Sequence, residues 1–255
     1  MTAVDTTPRP AAPAGPPPRT VWLVGGLIAL AIALLAAVTI TVWQWRARHG
    51  DGRQSATGAE HAVSAGVDGR EAATLDVVSG TTTVTVRAAD LGGTLFKAES
   101  PQHPSATVTD GVVQVRIDGG NASVVIDLNR DVRWTVRFTA GTNSNTADLR
   151  DLRRLAGVEY VGGVARIELS LPRPAGTVPV RMSGGTNSYT IHAPGGVPVK
   201  ILAGGGASGV LIDGGPRHTG ITAGASFASD GWDTATDRYD VANTAGFSDL
   251  VVDRY

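Results

Sequence analysis

No cysteine occurs anywhere in the 255 residues. That excludes disulfides, thiol nucleophiles, thiolate metal sites and acylation on cysteine, and it leaves the redox compartment open. Lysine is nearly absent too, found only at Lys97 and Lys200. An excess of either charge is missing: 22 basic residues face 23 acidic ones, for a formal net charge of −1. A chain so balanced carries no nucleic-acid footprint. Metal-ligand spacing is also lacking, because His49, His61, His103, His192 and His218 stand singly and none belongs to an H-E-x-x-H motif. No G-x-S-x-G elbow supports a serine nucleophile. The expectation is therefore a protein without catalytic residues, metal or cofactor. Aromatics are scarce, at 5% of the chain, and long helical patterns are missing beyond residue 43.

What is present begins with one long apolar run. Residues 21–42 read VWLVGGLIALAIALLAAVTITV and contain no charge. As a helix this run would be about 33 Å long, enough to cross a hydrocarbon core. Trp22 stands at one end, Trp43 and Trp45 at the other, as rings at the two interfaces do. The exit, WQWRARHGDGR, is a poor signal-peptidase site, so an uncleaved single-pass anchor over residues 21–43 is expected. Arg9 and Arg19 precede it, and Arg46, Arg48 and Arg53 follow. That count leans toward a cytoplasmic C-terminal side. The short Pro-rich tail of residues 1–20 is too small to fold. It favours the opposite orientation, with the C-terminal domain extracellular, and this is the expectation taken.

Residues 44–70 are polar and rich in Gly, Ala and Ser without a period, and read as a flexible stalk. From residue 71 the texture changes. TLDVVSGTTTVTVRA, GVVQVRIDGG, ASVVIDLN, DVRWTVRFTAG and GVARIELSLP alternate apolar and polar residues as half-buried strands do. Glycine is abundant, at 33 residues, and Asp-Gly, Gly-Gly and Pro bound the strands. DLRDLRRL, residues 148–155, reads as a helical turn or a loop.

The phrase VRFTAGTNSNT, residues 136–146, returns 44 residues later as VRMSGGTNSYT, residues 180–190. Around it a glycine series runs through Gly141, Gly163, Gly185, Gly205, Gly224 and Gly246. A unit of about 20 residues, with two or three short strands closed by a glycine turn, is what a β-solenoid coil requires. Fold class is thus all-β: a single-stranded parallel β-helix over residues 71–255, with a β-sandwich as the alternative.

IELSLPRPAGTVPVRMSGGTNSYTI and DRYDVANTAGFSDLVV show an alternating strand, a Pro or Gly, a second strand, then a small-Gly turn and a further strand. In this the chain resembles the bacterial "putative adhesin" domains of unknown function, the adhesin-head type included, over about residues 75–255. The resemblance implies a right-handed parallel β-helix beside a membrane span, facing outward, without shared catalytic residues. The chain departs from that pattern in carrying Thr-Asn after the turn glycine.

Three stretches invite a functional reading. AGGGASG matches G-x-G-x-x-G at Gly204, Gly206 and Gly209, but VLIDGG follows where a dinucleotide site needs a helix. SDGWDTATDRYD gathers Asp230, Asp233, Asp237 and Asp240 around Trp232 and Tyr239. It reads either as a solvated loop or as a sugar-binding edge. The GTNS turns present Asn143 and Asn187, which either stack as structural ladders or line a surface. Asn143, Asn187, Asp230, Trp232 and Asp233 are therefore the candidate surface-binding residues, with an envelope polysaccharide or protein as partner. The expected role is adhesion, envelope scaffolding or sensing without turnover. Two rivals remain open: a polysaccharide-active enzyme, which needs acids converging on one face, and a cytoplasmic polymer resembling the bactofilins, which needs an uncapped apolar end.

Overall fold

The structure, a computed structural model, describes residues 54–55, 57–59, 61–119 and 122–255. The Pro-rich tail and the apolar run of residues 21–43 lie outside the described residues. Twenty-one strands follow one another: β1 (Gln54–Ser55), β2 (Thr57–Ala59), β3 (Ala62–Gly66), β4 (Ala72–Val77), β5 (Thr81–Ala89), β6 (Thr94–Glu99), β7 (Pro104–Thr109), β8 (Val112–Ile117), β9 (Ser123–Asn129), β10 (Arg133–Phe138), β11 (Thr142–Asp148), β12 (Leu155–Tyr160), β13 (Val164–Ser170), β14 (Thr177–Met182), β15 (Thr186–Ala193), β16 (Val199–Ala203), β17 (Ala207–Ile212), β18 (His218–Ile221), β19 (Ala225–Ala228), β20 (Arg238–Asn243) and β21 (Phe247–Arg254). No helix among the described residues is long and apolar enough to cross a membrane.

The alternation seen in the sequence is the burial pattern of the strands. In β10 Trp134, Val136 and Phe138 point inward, whereas Arg133 and Arg137 are exposed. In β15 Thr186, Tyr189, Ile191 and Ala193 are buried. A single residue of slip would turn every one of these side chains to water, so the pattern fixes the register. Burying each large apolar side chain contributes about 1.5–3 kcal/mol. The buried set is continuous from Val63 to Val252.

Two mixed sheets enclose this core. Sheet I runs β1-β7-β8-β4-β10-β12-β14-β20-β16-β19, and sheet II runs β2-β3-β6-β9-β5-β11-β13-β15-β21-β17-β18. From β10 to β15 consecutive strands alternate between the sheets, so each pair makes one turn of the chain. Val136 pairs with Val158 and Val158 with Val180, a 22-residue offset each time, and both pairings are parallel. The same offset recurs in sheet II, where Thr142 pairs with Val164 and Val164 with Thr186.

The stack departs from the expected single parallel coil in two ways. First, its order is shuffled toward both ends. Turn β4–β5 lies between β8–β9 and β10–β11, although it precedes both in the chain. Turn β20–β21 lies between β14–β15 and β16–β17, although it follows both. Second, reversed strands close the ends. β6 and β7 run antiparallel to β9 and β8, and β18 and β19 run antiparallel to β17 and β16. A period in the sequence cannot reveal this order, because equivalent turns present equivalent faces and any of them fits beside any other. The parallel pairing within the stack is equally unlike an antiparallel sandwich.

Residues 44–70, read as a stalk, contain β1 to β3. β3 pairs with β6, and β1 with β7, both antiparallel. β3 shows no clear alternation because its side chains are small apart from Val63, which is buried. Residues 149–154 form the loop between β11 and β12, with Leu149 and Leu152 turned into the core.

Candidate functional site

Each copy of GTNS opens a strand of sheet II. The residues in register at that position are Thr81, Thr142, Val164, Thr186, Phe247 and Ala207. All six follow a glycine: Gly80, Gly141, Gly163, Gly185, Gly246 and Gly206. The column differs from the expected series at two places. Gly206, not Gly205, is the register equivalent, and Gly224 belongs to the tight turn between β18 and β19, where its φ is +87°. Gly80 joins the column, 61 residues before Gly141, because its turn is out of order.

Within the phrase the residues divide by role. Thr142 and Thr186 are buried, and their hydroxyls donate to the Ser144 and Ser188 carbonyls at 3.0 and 3.3 Å. Asn143 and Asn187 are exposed. They are surface residues two turns apart, with Ala165 in the turn between. Asn145 and Tyr189 occupy one core column, in register through Ile167. Asn145 is fully buried, and its carbonyl oxygen accepts from Tyr160 Oη at 3.4 Å. Burial drives the Tyr160 and Tyr189 hydroxyls far above the usual tyrosine range.

The outer face of sheet II carries the more extended feature. Ser123, Thr83, Ser144, Arg166 and Ser188 lie side by side across five parallel strands. Two residues further along the same strands come Val125, Thr85, Thr146, Glu168 and Thr190. Neighbouring strands are about 4.8 Å apart, and alternate residues about 6.6 Å apart, so the hydroxyls form a flat grid. One row further on the face turns ionic. Arg87 donates to both oxygens of Asp127 at 2.8 and 3.0 Å. Arg150 pairs with Asp148 at 2.6 Å, and its hydrogen bond holds that carboxyl below the ordinary range. His192 sits between Asp253, at 2.5 Å, and Glu168, at 3.5 Å.

The acidic stretch after β19 is taken apart by the structure. Asp230 is exposed and lines a depression with His218 and Phe227. Asp233 is exposed. Asp237 accepts from the Gly176 amide at 2.6 Å, and Asp240 pairs with Arg181 at 2.7 Å and Lys200 at 3.8 Å. Asp237 and Asp240 are thus each engaged elsewhere, one by a backbone amide and one by two cations. Trp232 has the Lys200 ammonium 3.9 Å and the Arg238 guanidinium 4.2 Å from its ring centroid, and its Nε1 donates to the Tyr239 carbonyl at 3.0 Å. The indole is occupied by two cations instead of lying open to a sugar ring. Tyr239 is buried, with its hydroxyl donating to Pro172. The glycine-rich match at Gly204, Gly206 and Gly209 leads into β17, a strand. Among the described residues no group of three His, Asp or Glu side chains is placed to hold a metal ion.

Sequence reasoning singled out Asn143 and Asn187 by number but no residue of the hydroxyl grid. Its signal is legible in retrospect: TVT at 83–85, SNT at 144–146 and SYT at 188–190 share one phase of the alternation.

No protein-family model matches the chain, and no curated protein matches it. Among solved structures, one titled a "putative cell adhesion protein" from Clostridium sporogenes is similar over 80% of this chain and 100% of its own, with a TM-score of 0.57 and 14% identity. One titled a "putative adhesin" from Bacteroides fragilis aligns over 76% of this chain and 98% of its own at 11% identity, with a TM-score of 0.28 that carries no argument. At 14% identity the first likeness shows a shared fold and leaves ligand and activity open.

Proposed function

We propose that the protein is an adhesin-type recognition module. A β-solenoid-like domain offers the outer face of its sheets to a ligand and releases it unchanged. The observation that carries this reading is the grid of mostly half-buried Ser and Thr residues on the outer face of sheet II, repeated from strand to strand. A rigid sheet places those groups without further ordering cost, which favours recognition by many weak hydrogen bonds. The shared fold with the Clostridium sporogenes protein supports the same reading. The apolar run of residues 21–43 anchors the domain in the cell membrane, with residues 44–255 outside. No turnover is assigned, since Asp237 and Asp240 have separate partners and Asp230 and Asp233 are exposed.

The polymer reading is disfavoured by the ends of the stack. Each is closed by reversed strands, and β18 and β19 are four residues long and mostly exposed. Short edges of this kind deter strand addition. The test is protease treatment of intact cells, followed by attachment of cells with and without the protein to a glycan-coated surface. Cleavage of the domain on intact cells together with weaker attachment of the deletion strain supports the proposal. Protection until the membrane is breached overturns it.

A further inference from the structure

Arg166 stands apart on the hydroxyl grid. It lies on β13, in register with Ser144 on one side and Ser188 on the other. Its side chain is exposed. Other arginines on this face are tied: Arg87 to Asp127, Arg150 to Asp148 and Arg217 to Asp249. The one carboxylate close to Arg166 along its own strand is Glu168, and His192 draws that group toward β15 at 3.5 Å. A guanidinium thus projects from a row of hydroxyls without a charge partner among the described residues, Glu168 on the next row being engaged by His192.

Chemistry narrows the occupant. Protein interfaces are anchored by large aromatic and apolar side chains, with Ser and Thr under-represented among their hot spots. The rows of the grid present no Phe, Tyr or Trp, and the exposed large hydrophobic residues of the described chain are Val161 and Tyr255, neither of them on the grid. A polyhydroxylated ligand suits it better, since a pyranose unit in an extended glycan advances by about one strand spacing. An unpaired guanidinium selects a planar anion through two parallel N–H···O bonds. We infer that the outer face of sheet II binds an acidic polysaccharide laid across the strands, with the carboxylate of one sugar held by Arg166 and neighbouring hydroxyls held by Thr83, Ser144, Ser188 and Thr190. This rests on the recognition reading above and adds the class of ligand.

The experiment compares binding of the full chain, in detergent or on cells, to immobilised polygalacturonate, to its methyl ester and to dextran. Polygalacturonate binds, and esterification weakens binding at least about tenfold, the loss of one charge-assisted bidentate contact. Arg166→Ala gives a similar loss on polygalacturonate with an unchanged melting temperature. Arg116→Ala, on the outer face of sheet I, binds as the parent does. Equal binding to the acid and its ester, or full binding by Arg166→Ala, overturns the inference. A protein that promotes cell attachment yet ignores polygalacturonate refutes the ligand class and leaves the adhesion reading standing. Failure of attachment itself removes both.

Discussion

Gly184 and Gly163 are both glycines at the same corner of the stack, and the structure assigns them opposite sensitivities. A Cβ on Gly184 would lie 2.3 Å from the Gly162 oxygen, 2.4 Å from its carbon and 2.6 Å from the Gly163 nitrogen. All three atoms are backbone of the adjacent turn, so no side chain can swing aside. Relief requires the two turns to part by about 1 Å to reach ordinary contact distance. That movement pulls on the bonds that join them, Val164 N to Gly185 O at 3.0 Å and Ser183 N to Tyr160 O at 2.8 Å. Losing two such bonds costs about 2 kcal/mol. Overpacking strain adds about 1–3 kcal/mol. Gly184→Ala is therefore expected to cost about 3–5 kcal/mol and to lower the melting temperature by about 10 °C in a domain of this size. A Cβ on Gly163 meets nothing nearer than the Gly185 oxygen at 3.5 Å, an ordinary contact. Gly163→Ala should be neutral, or stabilising by up to about 1 kcal/mol through a less flexible unfolded chain. Denaturant unfolding of the two variants decides the matter. Equal losses, or a Gly184→Ala loss below about 0.5 kcal/mol, would refute the close-stacking account.

Two further outcomes follow from polar groups inside the core. Asn243 is 1% exposed, and neither its amide nitrogen nor its carbonyl oxygen has a partner, while Met182 fills the equivalent place in the next turn. Asn243→Leu is expected to stabilise by about 1–2 kcal/mol in the same unfolding experiment, and a destabilised variant would point to a bridging water that the side chain holds. The four tyrosines bear on alkaline stability. Burial raises the hydroxyls of Tyr160, Tyr189 and Tyr239, so the folded chain keeps protons that the unfolded chain releases above about pH 10. Stability should fall as the pH rises beyond that point. Tyrosinate absorbance should then appear together with loss of the β-sheet circular dichroism signal, and a smooth titration of all four residues with the sheet intact would contradict the burial.

The strands were legible because their apolar residues alternate: Trp134, Val136 and Phe138 announce β10 without any tertiary information. A unit of about 20 residues was legible from the glycine series through Gly141, Gly163 and Gly185. Stacking order was not, since the valine at the centre of β14 meets Val241, 61 residues on, as readily as a neighbour from the next turn. The roles within GTNS were half visible. A threonine after glycine is ordinary turn chemistry, but only the register shows that Thr142 and Thr186 turn inward while the following asparagines face out. The directions of the acids of residues 230–240 were not legible, because spacing along a loop says nothing about direction. The partners of Asp237 and Asp240, namely Gly176, Arg181 and Lys200, lie far away in the sequence.

Order in the stack agrees with order in the sequence only from β10 to β15, and both copies of the GTNS phrase fall there. The turns toward the ends are interleaved, so inserting a unit among them would break pairings on two sides. A 22-residue insertion between β11 and β12 would simply lengthen the stack by one turn, adding one more row to each outer face and leaving both closures as they are. The middle is thus the part of this domain that can grow, and the near-identical phrases at residues 136–146 and 180–190 mark the segment in which unit duplication carries the least structural penalty.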